Sequence, residues 1–276
     1  MNEITTLNWR KINRYQPEHE DCVEDRPYTR EEIQRLLEAA SPRDRAIILL
    51  MASSGLRVGA ISALTIKSLE PIDKYDIYKI TVYRKSKSQY FSFCTPETRK
   101  EIDAYVEWRN RMGERLKPES PLFRKEFDTQ DIIQANNPRP LSTGAIRWNI
   151  FRLEKSGVRI PQKLAEQNML PKRTELMACH ALRKRLDTEA TKAGMNPLYV
   201  EIIEGHASGL KHKYFRPSES DLLEGNDKML GYIYVIDALT INEENRLRRE
   251  NQILQINKDK LEARLDKLEE MYRSLL

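Results

Sequence analysis

The sequence is poor in cysteine, in long apolar runs and in charge of one sign. Its three cysteines among 276 residues are too few and too scattered for a disulfide framework or a metal cage. No apolar run reaches the roughly 18 residues of a candidate membrane span, and no apolar signal-peptide core occurs. We therefore predict a cytoplasmic chain that is neither secreted nor membrane-spanning.

The surplus of positive charge is small and unevenly placed. Lysine and arginine number 47 against 42 acidic residues, a formal net charge of +5, which by itself does not predict a nucleic-acid partner. From Ala238 onward, eight acidic residues balance eight basic ones. The whole surplus therefore lies in the first 237 residues, where an anionic partner is expected to bind.

The usual signatures of cofactor binding are also missing from the sequence. It has no glycine-rich phosphate loop, and its carboxylates and cysteines do not cluster as metal ligands do. We expect no metal, no ATP and no other small-molecule cofactor.

Hydrophobic periodicity and the positions of helix-capping and turn residues divide the chain into three segments. Residues 1–26 are polar, have no sustained period and are too short to fold alone, so we predict a leader or linker. Residues 27–237 carry regular helix and strand signals over a length that can bury one good core. Residues 238–276 have a separate helical pattern.

Helix signals dominate the central segment. Thr29 suits the cap of an amphipathic helix, and Ser41-Pro42 opens a second helix that is apolar nearly all round and therefore expected to be central. That second helix is predicted to end at Gly55, which favours a left-handed exit. Three further helices are predicted to start at Thr95-Pro96, Ser142 and Asn196-Pro197. Residues 114–140 are predicted to be a connecting loop.

Residues between Ile77 and Cys94 alternate between apolar and polar on both sides of a basic turn, which predicts a β-hairpin. Lys85 and Lys87 would project from its tip. The predicted fold class is therefore α+β, mostly α with a small antiparallel β-sheet.

Basic and nucleophilic residues lie at the ends of these elements. Arg57 is placed at the start of a helix, where its guanidinium and the unpaired helix N–H groups both favour a phosphate. His180 and Arg183 are three residues apart and share one helix face. His206 and Tyr214 follow the next predicted helix.

Each of these residues also has an ordinary structural explanation. Arg57 could be a surface or salt-bridge residue, and the hairpin lysines could be solvated charge that protects a sheet edge. His206 and Tyr214 could be core groups with polar ends. Together, however, the right residue types occur in one order and at element ends. Such a set is what cleavage of a phosphodiester by a tyrosine requires.

The motifs around these residues resemble the motif boxes of the tyrosine recombinase (phage integrase) family. The resemblance spans roughly Pro27 to Asp237 and is carried by Ser54-Gly55-Leu56-Arg57, His180-Ala181-Leu182-Arg183, Gly205-His206 and Tyr214. The segments Thr95-Pro96-Glu97 and Lys213-Tyr214-Phe215-Arg216-Pro217 look most similar to archaeal-type members.

The resemblance implies site-specific cleavage and rejoining of double-stranded DNA, as in integration or excision. By that resemblance, Arg57 and Arg183 would clamp the non-bridging oxygens of the scissile phosphate, and His180 and His206 would complete its cradle. Planar guanidinium groups suit this role because they stabilise the charge that gathers on those oxygens in the transition state.

The resemblance also makes Tyr214 the nucleophile of a 3′-phosphotyrosine intermediate. A tyrosine has an ordinary pKa of about 10, so Tyr214 must lose its proton as it attacks, and His180 is the expected acceptor or relay. A lysine, with an ordinary pKa of about 10.4, can protonate the departing 5′ oxygen. Alignment of the hairpin leaves Lys85 and Lys87 as equal candidates.

Three features depart from the family pattern. Ala60 occupies a position where many members have an acidic residue, so Arg57 must find support elsewhere. The spacing from His206 to Tyr214 is about one residue tighter than in many relatives. Residues 1–26 are too short for the amino-terminal DNA-binding domain of many relatives, which implies either a catalytic fragment or a minimal enzyme. We therefore expect modest, steeply salt-dependent DNA binding.

A leucine-zipper pattern occupies the carboxyl end. Leucines recur there at seven-residue intervals: Leu247, Leu254, Leu261, Leu268 and Leu275. Asn251 and Lys258 at alternate core positions would restrict register and oligomer state. We predict a helix that holds a dimer or tetramer together on DNA; the alternative is one amphipathic helix folded against its own domain.

Two other functions remain open at the level of sequence. A type IB topoisomerase-like enzyme would share the chemistry but need no partner duplex, and the zipper favours a recombinase over it. A catalytically inactive DNA-binding regulator would use the same basic residues, but it has no need to keep the whole catalytic set.

Overall fold

The computed structural model describes residues 25–158, 176–206 and 217–224. These residues form a mostly helical domain with one three-stranded antiparallel sheet, which confirms the predicted fold class. The predicted zipper and nearly all of the predicted leader lie outside them. No helix among the described residues is both long and apolar enough to cross a membrane.

In chain order the elements are α1 (Arg30–Ala39), α2 (Pro42–Ser54), α3 (Val58–Ala63), β1 (Leu69–Ile72), β2 (Ile77–Val82), β3 (Tyr90–Phe93), α4 (Pro96–Arg111), α5 (Ile132–Asn136), α6 (Thr143–Gly157), α7 (Ala178–Lys192) and α8 (Pro197–Ile203).

The first two helices begin and end where their local signals predict. Thr29 caps α1 through a reciprocal capping box, in which its side chain accepts from the Glu32 amide at 3.2 Å and Glu32 accepts from the Thr29 amide at 2.8 Å. Ser41 caps α2, Pro42 is its first residue, and Gly55 follows its end with φ of 63°. Glycine adopts this left-handed conformation without strain, so it fixes where the chain leaves the helix.

The sheet has β2 at its centre. Ile80 of β2 lies opposite Leu69 of β1 on one side and Ser92 of β3 on the other, both pairings being antiparallel. The β2–β3 hairpin is confirmed, whereas β1 is an addition to the prediction. Its short run, interrupted by Pro71, shows no alternation, and a proline is tolerated because β1 is an edge strand.

The central helix α2 organises the larger of two hydrophobic clusters. Its residues 46–52 are each at most 1% exposed, and it packs against α4 and α7. A smaller cluster joins Phe93 of β3, Leu186 of α7 and Ile203 of α8. Because α7 packs against both α2 and α8, the carboxyl ends of α2 and α8 are held on either side of it.

The segment 114–140, predicted to be a connecting loop, also contains α5 and is anchored by a buried ion cluster. Glu114 accepts hydrogen bonds from Arg109 at 2.6 and 2.9 Å and from Arg124 at 2.7 Å. All three side chains are at most 3% exposed. The prediction missed α5 because a helix of five residues is too short to show a hydrophobic period.

Candidate active site

A cleft of about 930 Å³ opens where the start of α3 faces α7 and the end of α8. Four of the predicted residues line it, namely Arg57, His180, Arg183 and His206. They come from three separate stretches of the sequence, so the tertiary structure brings together what the chain order only suggests.

Arg57 is the first residue before α3 and projects an exposed side chain into the cleft. The left-handed Gly55 ends α2 and aims the chain in this direction. The Nη1 group of Arg57 donates to the carbonyl oxygen of Gly205 at 3.5 Å. This contact links the start of α3 to the end of α8.

Arg183 is buried in the floor of the cleft, at 7% exposure. Its Nη1 donates to the carbonyl oxygen of Gly55, and its Nη2 donates to the carbonyl oxygen and to Oε2 of Glu204, each at 3.0 Å. Desolvation lowers the pKa of Arg183, while the charge of Glu204 acts in the opposite direction. Arg183 nevertheless stays charged, because a guanidinium does not lose its proton at neutral pH.

His206 contacts Arg183 directly, with its Nε2 at 2.8 Å from Nη2. Burial lowers the pKa of His206, and the positive charges of Arg183 and Arg57 lower it further. The imidazole is therefore neutral at pH 7. Because a guanidinium can only donate, Nε2 must accept, and the proton of the ring lies on Nδ1, which is 3.4 Å from Oε2 of Glu204.

His180 lies on α7, one turn before Arg183 and on the same face, as predicted. It differs from Arg183 in being exposed at the mouth of the cleft. An exposed imidazole can exchange a proton with an incoming group, which suits the predicted role of acceptor or relay.

Lys85 and Lys87 lie in the turn between β2 and β3, and both are exposed. Neither is among the residues that line the cleft. The choice between them as general acid therefore stays open.

The residue that follows this turn, Tyr90 at the start of β3, does contact the site. The ring of Tyr90 packs under Gly205, where a Cβ atom would lie 2.5 Å from Cε1 of Tyr90. Tyr90 also meets Tyr83 edge-on, with ring centroids 6.3 Å apart. Burial raises the pKa of Tyr90 to about 12, so its hydroxyl is neutral at pH 7.

Tyr214, the predicted nucleophile, falls within residues 207–216, which lie outside the described residues. Its role therefore stays a prediction.

Two residues of the site were not predicted from the sequence. Arg147 on α6 lines the cleft, and no motif marks it in the sequence. Glu204 lies just behind the cleft, 4% exposed, and burial raises its pKa to about 7. A signal for Glu204 was present, since it is an acidic residue that follows the apolar pair Ile202-Ile203 and immediately precedes Gly205-His206.

The fold of the described residues is that of a tyrosine recombinase catalytic domain. The integrase from mycobacterium phage Brujita is one similar solved structure, with 18% identity, a TM-score of 0.52, and coverage of 79% of this chain and 65% of that one. The XerA recombinase is another, with 22% identity, a TM-score of 0.49, and coverage of 77% and 66%. At these identities the likeness concerns the fold, and the chain spans slightly less than two thirds of either structure.

The chain belongs to the phage integrase family. The model of that family matches residues 27–216, a range that contains every predicted site residue from Arg57 to Tyr214. No curated protein sequence matches the chain. Family membership confirms the resemblance found in the motifs.

Proposed function

We propose that this protein is a site-specific recombinase that binds double-stranded DNA and cleaves and rejoins its strands through a 3′-phosphotyrosine at Tyr214. The observation that most directly supports this function is the cleft shared by Arg57, His180, Arg183 and His206. Membership of the phage integrase family and the likeness of the fold to an integrase support the same function.

The charges around the cleft suit a single phosphodiester group. Arg57, Arg147 and Arg183 each contribute one positive charge to the cleft, and an ionised Glu204 contributes one negative charge behind them. The net charge of these four groups is positive and therefore attracts an anionic phosphodiester. Guanidinium forks stabilise the greater negative charge of the pentacoordinate transition state more than they stabilise the ground state.

Arg183 keeps donors for such a phosphate. Its hydrogen bonds to Gly55, Glu204 and His206 use Nη2 and one proton of Nη1. Within the described residues, Nε and the second Nη1 proton make no hydrogen bond. Each of these two donors can make a single hydrogen bond to a phosphate oxygen.

The proposed cleavage step moves two protons. The Oη atom of Tyr214 bonds to phosphorus while its proton passes to His180, and the bond from phosphorus to the 5′ oxygen breaks. Lys85 or Lys87 gives a proton to that departing oxygen. Attack of a 5′ hydroxyl on the phosphotyrosine reverses the step and rejoins a strand, so the energy of the phosphodiester is retained.

A nicked suicide substrate tests this function. Cleavage beside a nick releases a short strand that diffuses away, so the covalent intermediate accumulates. We would incubate a pool of nicked duplexes of random sequence with wild-type protein and with Tyr214→Phe, then separate adducts under denaturing conditions and sequence the attached DNA. We expect an adduct at a defined site with wild type and none with Tyr214→Phe.

The same experiment separates the two alternatives. A DNA-binding regulator would shift the duplexes in a native gel but give no adduct with either protein. A topoisomerase-like enzyme would give adducts and relax supercoiled plasmid, yet would not exchange strands with a second duplex that carries the same site. Strand exchange therefore decides in favour of the recombinase.

A further inference from the structure

Glu204 occupies an unusual position for a carboxylate. It follows α8, is 4% exposed, and lies directly behind the cationic groups of the cleft. Its Oε2 accepts from Arg183 at 3.0 Å and lies 3.4 Å from Nδ1 of His206. Its Oε1 has no hydrogen-bond partner in the part of the chain that the structure describes.

A buried carboxylate needs compensation, and here the compensation comes from the site itself. Desolvation of an ionised carboxylate costs several kcal/mol unless it is paired. Within the part of the chain that the structure describes, no acidic residue lines the cleft and Glu204 is the only carboxylate in contact with Arg183. The carboxylate therefore offsets the buried charge of Arg183, and it does so at the back of the cleft, in contact with two residues that line it.

We infer that Glu204 is a positioning residue of the recombination reaction: its carboxylate holds the Arg183 guanidinium and the His206 imidazole in the orientation that the scissile phosphate meets. This inference rests on the proposed function. The contact with Arg183 fixes the direction of the guanidinium fork. The contact with Nδ1 of His206 fixes the tautomer that leaves Nε2 as an acceptor.

Protonation of Glu204 would release this hold. Burial raises its pKa to about 7, against the opposing effect of Arg183. Arg183 and Asp187 of α7 and Arg57 before α3 act on its charge. His206, which follows α8, and Tyr90 of β3 also face the Glu204 carboxylate. Because the pKa of an acid is raised, the positioning anion is scarce below pH 6 and predominates above pH 8.

The test compares the rate of covalent adduct formation for wild type and Glu204→Gln from pH 5.5 to 8.5. Glutamine keeps the shape of the protonated acid but cannot ionise. We expect the ratio of the wild-type rate to the Glu204→Gln rate to be close to one at pH 5.5 and roughly tenfold or more at pH 8.5. Because Tyr214 must be deprotonated in both proteins, its contribution cancels in the ratio.

A matched control variant loses one carboxylate charge outside the cleft. Glu189 on α7 pairs with Lys192 at 2.8 Å, outside the cleft, so Glu189→Gln should keep a ratio near one at every pH. For Glu204→Gln, a ratio that is constant with pH, or one that falls below one as pH rises, overturns the inference. If wild type forms no Tyr214-dependent adduct at any pH, it is the proposed function that fails.

A second measurement on the free protein decides the inference independently of cleavage. The chain has four histidines, so nitrogen NMR can resolve the tautomer of His206, assigned by loss of its signal in His206→Gln. At pH 8 we expect the Nδ1–H tautomer in wild type. Glu204→Met removes both the acceptor beside Nδ1 and the carboxylate that holds Arg183 against Nε2, so it should raise the fraction of the Nε2–H tautomer of His206. An unchanged tautomer would overturn the inference.

Discussion

Arg183 makes contacts that a lysine could not reproduce. Its guanidinium donates at once to the Gly55 carbonyl and to two oxygens of Glu204, and it keeps further N–H groups for a ligand. A lysine offers one compact ammonium group, without a planar fork. The geometry of the site therefore depends on arginine and not on positive charge alone.

The first prediction concerns this residue. We expect Arg183→Lys to slow adduct formation by about 100-fold or more, the loss typical of one preorganised transition-state donor. Arg45→Lys is the control, since Arg45 pairs with Glu101 at 3.1 Å away from the cleft and should keep the wild-type rate. Single-turnover assays with a nicked substrate measure both, and a wild-type rate for Arg183→Lys would contradict the proposed clamp.

The second prediction concerns Gly205. Its φ is 66°, and a Cβ atom would lie 2.5 Å from the ring of Tyr90. Gly194 has a similar φ of 70° with open space around it. In urea denaturation we expect Gly194→Ala to cost about 1 kcal/mol for the strained backbone, and Gly205→Ala to cost clearly more.

A third glycine completes this series. Gly144, near the start of α6, has neither a positive φ nor a neighbour within 4 Å of the Cβ position. Gly144→Ala should therefore stabilise the protein by about 0.5 to 1 kcal/mol. Equal costs for Gly205→Ala and Gly194→Ala would show that contact with Tyr90 is unimportant.

At the scale of elements, the buried ion cluster joins α4 to the segment that follows it. Arg109, at the end of α4, also donates to the carbonyl oxygens of Pro121 and Leu122 at 2.9 and 2.8 Å. Arg124 likewise donates to the carbonyl oxygens of Gln134 and Ala135. Charged side chains thus take the place of regular secondary structure in ordering this segment.

The third prediction follows from that cluster. Glu114→Ala leaves Arg109 and Arg124 buried without their carboxylate, so we expect a loss of about 3 to 5 kcal/mol in the free energy of unfolding. Glu119→Ala, which breaks the exposed pair with Lys67, should change stability little. Urea denaturation measures both variants. Similar results for the two would show that the cluster does not order the segment.

At the scale of the whole molecule, the proposed recombination would bring several protomers together on DNA. The leucine repeat from Leu247 to Leu275 lies outside the described residues, so its role stays a prediction. Leucine at alternate core positions of a heptad repeat is typical of helices that associate with one another. We propose that this segment holds protomers together.

The fourth prediction tests the zipper. Leu254→Lys combined with Leu261→Lys places two charges in the predicted seam and should reduce the mass measured by light scattering toward that of a monomer. Gln252→Lys changes charge at a predicted outward position of the same repeat and should leave the mass unchanged. The same mass for all three proteins would contradict a zipper and favour a helix folded against its own domain.

The sequence by itself determined where most of the described helices begin, the hairpin, and the order of Arg57, His180, Arg183 and His206 along the chain. Thr29, Ser41 and Gly55 act through hydrogen bonds and backbone angles within a few residues, so their effects can be predicted from neighbours in the chain. The hairpin followed from alternation alone. Strand β1 could not be predicted, because its sequence shows no apolar–polar alternation. It forms a strand through its pairing with β2.

Only the tertiary structure decided how the site is held. Arg183 and Gly55 are 128 residues apart, and the bond between them exists because α7 packs against α2. The same packing buries Glu204, and desolvation then moves its pKa toward 7. Local sequence sets backbone geometry through short-range contacts, whereas the solvation and partners of a charge depend on which distant elements enclose it.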